Sequence, residues 1–255
     1  MKKEFLSLIG CGWLGSKLAI KLVELQYRVI VTTANVRPDF DAGSYFQFDL
    51  TQKQPIPEEI ITSDVLLYLI PPLSLEYVKR FFDKIPEDKK IIFISSTSVY
   101  GKKMGCVDEE TPITLDKTSS PLLVETESYL KSRFNNATIL RFGGLYGDNR
   151  HPVYFLQGKK GLKNGGELLH LVHQSECIEA ITKILAKNLW GETFNIVSDL
   201  RIKKYEYYTQ VASERALELP NYEKTESDPL ETNISNHKSK FKLDMNYNPR
   251  ILYIF

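Results

Sequence analysis

Short apolar runs and helix-spaced apolar positions alternate along the first half of the chain. The run Phe5-Leu6-Ser7-Leu8-Ile9 is followed by Leu14, Leu18, Leu22 and Leu25, with Ala19 and Val23 beside them. A nearly unbroken apolar run suits a strand buried on both faces, and three-to-four-residue spacing suits a helix. The alternation continues, with strands expected at 27–33, 44–48, 65–70, 91–94 and 138–140 and helices at 73–85 and 122–134. Strands that alternate with helices build βαβ units and a parallel sheet. After Gly147 the pattern loosens. Strands at 168–172 and 193–197 and helices at 175–189 and 203–217 are expected, and the polar tail from Pro220 reads as mostly irregular surface.

Between the first strand and the first helix stands Gly10-Cys11-Gly12-Trp13-Leu14-Gly15. Strand, G-x-G-x-x-G turn and helix together form the entry to a dinucleotide-binding fold. Gly10 permits the tight turn, Gly12 lets backbone approach a diphosphate, and Gly15 lets the helix pack closely on the strand. The phosphates would face main-chain N–H groups at the positive end of the helix, which Trp13 and Leu14 open. Met1-Lys2-Lys3 and the apolar residues up to Cys11 also resemble a short lipoprotein-type signal. Against that reading, Glu4 interrupts the start, and the apolar stretch of about six residues falls short of the roughly 7–15 expected. The fold class expected is therefore α/β, a Rossmann-type doubly wound parallel sheet with a smaller C-terminal substrate lobe. Residues 1–148 would form the dinucleotide-binding domain and 149–255 the lobe, with segments near 168–198 returning to the main sheet.

Composition narrows the partners. The 255 residues carry 33 Lys and Arg against 32 Asp and Glu, with no long basic stripe, which argues against a nucleic-acid partner. The longest apolar run, at 65–70, is far too short to span a bilayer. Cys11, Cys106 and Cys177 form no C-x-x-C pair and fit a reduced, cytoplasmic compartment. Nothing in the pattern excludes an oligomer.

Five further stretches, in order, resemble the extended short-chain dehydrogenase/reductases, which include the sugar-nucleotide epimerases and dehydratases. Ser95-Ser96-Thr97-Ser98-Val99-Tyr100-Gly101 is similar to the family's strand-end S-S-x-x-V-Y-G, and Glu109-Glu110-Thr111-Pro112 to its E-x-x-P loop. Leu140-Arg141-Phe142-Gly143-Gly144-Leu145-Tyr146-Gly147 resembles L-R-x-x-x-x-Y-G. His173 resembles the I-H-V-x-D histidine, and Thr193-Phe194-Asn195-Ile196-Val197 the Y-N-V segment. The likeness covers roughly residues 4 to 200, and the G-x-G-x-x-G form is that of the atypical, YeeZ-like bacterial members.

One departure changes what the resemblance implies. Active members carry a Tyr-x-x-x-Lys pair about twenty residues after the V-Y-G tyrosine, where the lysine lowers the phenol pKa for proton exchange with a substrate hydroxyl. That count lands here on Ser119-Ser120-Pro121, with neither residue present. Tyr129 and Arg133, four apart on one helix face, offer a substitute pair; the alternative is that Tyr129 joins the buried face of its helix. Ser96 and Thr97 stand where the family places a hydroxyl against the reacting oxygen, or else cap the turn after the strand.

An NAD site usually has an acidic residue after the second strand. No carboxylate occurs here until Asp39, whereas Thr33, Asn35 and Arg37 could donate to a 2′-phosphate, so NADP is expected over the alternative, NAD. Asp49-Leu50 resembles the family's segment near the adenine, and Pro71 would stand beside the coenzyme ribose. Arg150 could hold an anionic group of a small-molecule substrate such as a sugar nucleotide, and His173 belongs to the substrate side. No metal site is expected, because His170 and His173 would point to opposite faces of a strand and no carboxylate or cysteine cluster joins them. Two functions stay open, an oxidoreductase or epimerase-like enzyme and a non-catalytic NADP(H)-binding sensor or scaffold.

Overall fold

The computed structural model describes residues 3–34, 44–101, 105–116, 118–147, 150–223 and 232–247. Strand β1 (Phe5–Ile9) leads into helix α1 (Trp13–Glu24), then β2 (Arg28–Thr33), β3 (Ser44–Gln47) and α2 (Glu58–Thr62). After these come β4 (Val65–Tyr68), α3 (Leu75–Phe82), β5 (Lys90–Ser96), β6 (Gly105–Val107), α4 (Pro121–Arg133) and β7 (Ala137–Phe142). The rest of the chain carries β8 (Gly144–Tyr146), α5 (Val153–Leu156), β9 (Leu171–His173), α6 (Gln174–Lys187), β10 (Thr193–Ile196), α7 (Lys204–Glu214), β11 (Thr232–Ile234) and α8 (His237–Leu243).

Among the described residues, seven strands form one all-parallel sheet in the order β3-β2-β1-β4-β5-β7-β10. This is a Rossmann-type doubly wound fold. Leu6 lies between Val29 of β2 and Val65 of β4, which shows why the central runs are continuously apolar. Successive side chains alternate faces, and both faces are covered. Leu6, Leu8, Val65 and Leu67 pack with Leu18 and Leu22 of α1 and Ile181 of α6. Ile30, Leu66, Tyr68 and Phe93 pack on the other face with Phe81 and Phe82 of α3 and Leu130 of α4. The chain steps outward from β1 to β3, then crosses back to β4. The crevice at the carboxyl ends of β1 and β4 is the switch point where such sheets bind ligands.

The lobe has a core of its own, with Tyr146, Val153, Leu169, Leu171, Tyr207 and Val211 packed together. Strand β10 joins the main sheet beside β7, and helix α6 packs on α1, β9 and β10.

The tail corrects the expectation of irregular surface. Strand β11 pairs parallel with β6, and α8 packs on α6 and β10. Ile234, Leu243, Met245 and Tyr247 are all buried. The apolar residues are too sparse to show a period: α8 reads His-Lys-Ser-Lys-Phe-Lys-Leu and buries only Ser239 and Leu243.

Candidate functional site

The glycine turn sits at the switch point, and its three glycines do different work. Gly10 has φ +104°, and a Cβ there would come 2.5 Å from Ile70 Cγ2. A Cβ on Gly15 would lie 2.3 Å from the Gly10 carbonyl oxygen, so helix and turn touch backbone to backbone. Gly12 differs: a Cβ there would meet nothing within 4 Å. It is the N-cap of α1, with no side-chain cap and no acidic residue in the first turn. The turn is fixed from behind. Gly10 N–H donates to Thr32 Oγ1 (3.2 Å), Cys11 N–H to the Thr32 carbonyl (2.8 Å), and Gln174 Nε2 to the Trp13 carbonyl (2.8 Å). An anchored turn with one open glycine at a helix start is suited to an anionic group. Leu14 packs on the core behind the turn, and Pro71 is exposed just beyond Ile70.

Beyond the end of β5 opens a cleft of about 820 Å³, walled by Ser96, Thr97, Ser98 and Ser119 on the sheet side. Glu167, His170, Lys204 and Tyr208 of the lobe and Thr232 and Ile234 of the tail face them. Ser98 Oγ donates to Ser96 Oγ (2.9 Å) and shares a 2.7 Å bond with Ser120 Oγ, giving a row of hydroxyls. Ser96 also accepts the Ser98 N–H at 3.1 Å, so it caps the short turn as well as lining the cleft. The Lys204–Glu167 ion pair (2.6 Å) and the β11 wall were not read from the sequence. Their residues lie far apart along the chain, and no local pattern announces them.

Ser119 and Ser120 stand just before α4, at the positions where active members of the resembled family carry the tyrosine-lysine pair. The substitute pair does not form. Tyr129 lies near the far end of α4 and donates through its hydroxyl to Asp83 Oδ1 at 2.6 Å, while Arg133 pairs with Glu87. Burial and the Asp83 carboxylate push the Tyr129 phenol pKa up, against the sense a proton-exchanging phenolate requires. Helical spacing put Tyr129 and Arg133 on one face, but that face meets α3, not the cleft. Tyr129→Phe is expected to leave ligand binding and any turnover unchanged and to lower stability by about 1 kcal/mol, read from urea unfolding.

Five motif residues, with Glu127 of α4, instead meet beneath the strand ends. Arg141 donates from Nε to both Glu127 oxygens (3.2 Å each) and from Nη2 to Oε2 (2.7 Å). Its Nη1 donates to the Tyr100 hydroxyl (2.8 Å), which donates to Asn195 Oδ1 (2.8 Å). Glu109 accepts the Asn195 N–H (2.7 Å), and Ser95 donates to Glu127 (2.5 Å). Burial raises the Tyr100 pKa although Arg141 opposes it, so the phenol keeps its proton. These residues hold the end of β5 in place.

Several other site residues fall outside the cleft. Thr33 ends β2, and Asp49 accepts the N–H (2.8 Å) and hydroxyl (2.7 Å) of Thr51 in a local turn, with Leu50 buried beside it. Asn35 and Arg37 lie outside the described residues. His173 caps α6, its Nδ1 meeting the Ser175 N–H at 3.2 Å, while Glu176 accepts the His173 N–H at 3.0 Å. That capping box engages His173 in the fold, and it does not line the cleft. Arg150 is exposed, its guanidinium carbon 5.0 Å from the centre of the Trp13 ring.

Two histidines make stability depend on pH. Burial, helped by Arg215, pushes the His151 pKa down to about 4; burial, with Arg201 and Lys204, does the same for His170. An unfolded histidine titrates near 6.5, so between about pH 6.5 and 4 the unfolded chain holds more protons than the folded one. The stabilisation is complete above about pH 6.5 and is lost as pH falls, by up to about 1.4 kcal/mol per pH unit for each group. The melting temperature is therefore expected to drop from pH 7.5 to pH 5; a flat or rising profile would contradict this.

No family model matches the chain. It is 31% identical over 245 residues to Protein YeeZ of Escherichia coli strain K12, covering 87% of each chain. The chain belongs to the YeeZ family. The resemblance carried by the motifs of this YeeZ-family chain thus holds over most of its length. Among solved structures it shares its fold with MoeE5 in complex with UDP-glucuronic acid and NAD, at a TM-score of 0.79 and 16% identity over 98% of this chain and 95% of that one. The UDP-glucuronic acid 4-epimerase of Bacillus cereus in complex with NAD gives 0.76 and 19%, over 97% and 93%.

Proposed function

We propose that this YeeZ-family protein binds a nicotinamide dinucleotide and acts on a sugar nucleotide or a related hydroxyl or carbonyl compound. The observation that carries the reading is Gly12, open in front of an anchored helix start, between two glycines that have no room for a side chain. The UDP-sugar and NAD complexes of proteins with the same fold support it. A bound nicotinamide would accept or return a hydride. The chain's own part is to hold the diphosphate on main-chain N–H groups at the start of α1 and to offer the Ser96 and Ser98 hydroxyls to a reacting oxygen in the cleft. Thr97, buried at the same strand end, shapes that wall. Thr33, Asn35 and Arg37, which precede the first carboxylate after the second strand at Asp39, favour NADP over NAD. Three cysteines, none in a disulfide, suit the reducing cytoplasm.

A second reading rests on Ser119 and Ser120 at the place of the tyrosine-lysine pair. Without that proton carrier the protein would bind NADP(H) as a sensor or scaffold and turn nothing over. Fluorescence titration with NADPH and NADH, followed by sugar nucleotides and a carbonyl panel, separates the two. Saturable NADPH binding with hydride transfer to one compound supports the enzyme, binding without transfer supports the sensor, and no binding contradicts both.

A further inference from the structure

The crossover from β3 to β4 carries little helix, and it leaves a hollow beside the sheet. Of residues 48–64 only Glu58–Thr62 are helical, a little over one turn. The loop before that helix faces the last turn of α3 across a cavity of about 560 Å³, within the range of small-molecule sites. The buried Phe48, Leu50 and Phe81 and the half-buried Ile56 and Ile61 give it apolar walls. It shares no lining residue with the cleft at the end of β5 or with the glycine turn. Its charged lining has one sign. Lys53, Arg80 and Lys84 line the cavity, and among the described residues no carboxylate does. None of the three pairs with a carboxylate among those residues; Asp83, next to Lys84, accepts from the Tyr129 hydroxyl instead. Arg80 is set in place. Its Nη2 donates to the Leu50 and Gln52 carbonyls, and its guanidinium carbon lies 5.0 Å from the centre of the Tyr77 ring. These contacts tie the loop to α3 and hold the charge at the cavity, while Lys53 and Lys84 reach it from the exposed surface.

We propose that this cavity is a second ligand site, which takes a small amphipathic carboxylate. The apolar body would lie against Phe48, Leu50 and Phe81, and the carboxylate would meet Arg80, Lys53 and Lys84. Hydrocarbon leaves water for such walls, and a cation without a partner gains most from an acidic head. The planar fork of a guanidinium also matches the two oxygens of a carboxylate. The proposal stands apart from dinucleotide binding and does not depend on it.

The probes are decanoate and its uncharged counterpart decanol, titrated into the whole chain by calorimetry. Decanoate should bind saturably and roughly tenfold tighter than decanol. The double variant Lys53→Gln with Lys84→Gln should weaken decanoate roughly 3- to 10-fold and leave decanol affinity and the melting temperature unchanged. Ile61→Trp should fill the cavity and weaken both probes by roughly tenfold or more. Ile56→Trp, on the loop side, is the second filling variant should Ile61→Trp fail to fold. Excess NADP should not displace decanoate. No saturable binding, or a decanoate affinity equal to that of decanol, would overturn the proposal. So would an unchanged decanoate affinity in both the lysine and the filling variants. Displacement by NADP would move the bound decanoate to the coenzyme crevice. Self-association in sedimentation that Ile56→Trp abolishes would give the cavity to a second copy of the chain and overturn the small-molecule site.

Discussion

Glu127→Ala is expected to lower the unfolding free energy by about 3–5 kcal/mol, a large share of the roughly 5–15 kcal/mol that holds a typical domain folded. Glu127 and Arg141 have side chains only 5% and 4% exposed. Removing the carboxylate leaves a buried guanidinium with three of its bonds unmade and only the Tyr100 hydroxyl among the partners described above, and water cannot reach it without opening the packing of α4 on the sheet. Ser95 loses its acceptor in the same step, so the strand end carrying Ser96 and Thr97 should loosen. The double change Glu127→Leu with Arg141→Met should cost less than Glu127→Ala, because no lone charge is left behind. Urea unfolding checks both. A single-site effect under about 1 kcal/mol would mean that the pair is not the strut described.

Gly12→Ala should separate binding from folding. Gly12 has φ −83° and ψ −156°, which alanine adopts freely, and there is room for the added methyl. The loss of a favourable N-cap is offset by a less flexible unfolded chain, so the net change should stay within about 1 kcal/mol. The methyl nevertheless projects into the space a diphosphate needs. The affinity for NADP should fall on the order of a hundredfold, about 2.7 kcal/mol, by loss of charge-assisted bonds to main-chain N–H groups. Gly15→Ala should behave oppositely in its cause. Its methyl would clash with the Gly10 carbonyl, costing about 1–3 kcal/mol of stability and distorting the turn. Paired melting curves and calorimetric titrations read both quantities. Equal losses of affinity and stability in Gly12→Ala would count against the binding role.

The parallel sheet was legible because buried strands need no alternation: β4, buried at every position, shows as a plain apolar run. The glycine turn was legible because its constraints are local to six residues. The tail was not, since β11 gains its place only by pairing with β6, more than 120 residues earlier in the chain. Tyr129 shows the limit of periodicity, which groups residues on a helix face without saying what that face meets. Arg141, Tyr100 and Asn195 stood inside recognised motifs, yet their mutual contacts depend on three separate elements converging. The cleft wall formed by Glu167, His170 and Lys204 is likewise a product of tertiary packing alone.

The most direct measurement is a crystal of this protein soaked in millimolar NADP. Density for a diphosphate within hydrogen-bonding distance of the main-chain N–H groups at Gly12, Trp13 and Leu14 is the predicted result. A turn left empty at that concentration, or the dinucleotide seated elsewhere on the molecule, would contradict it.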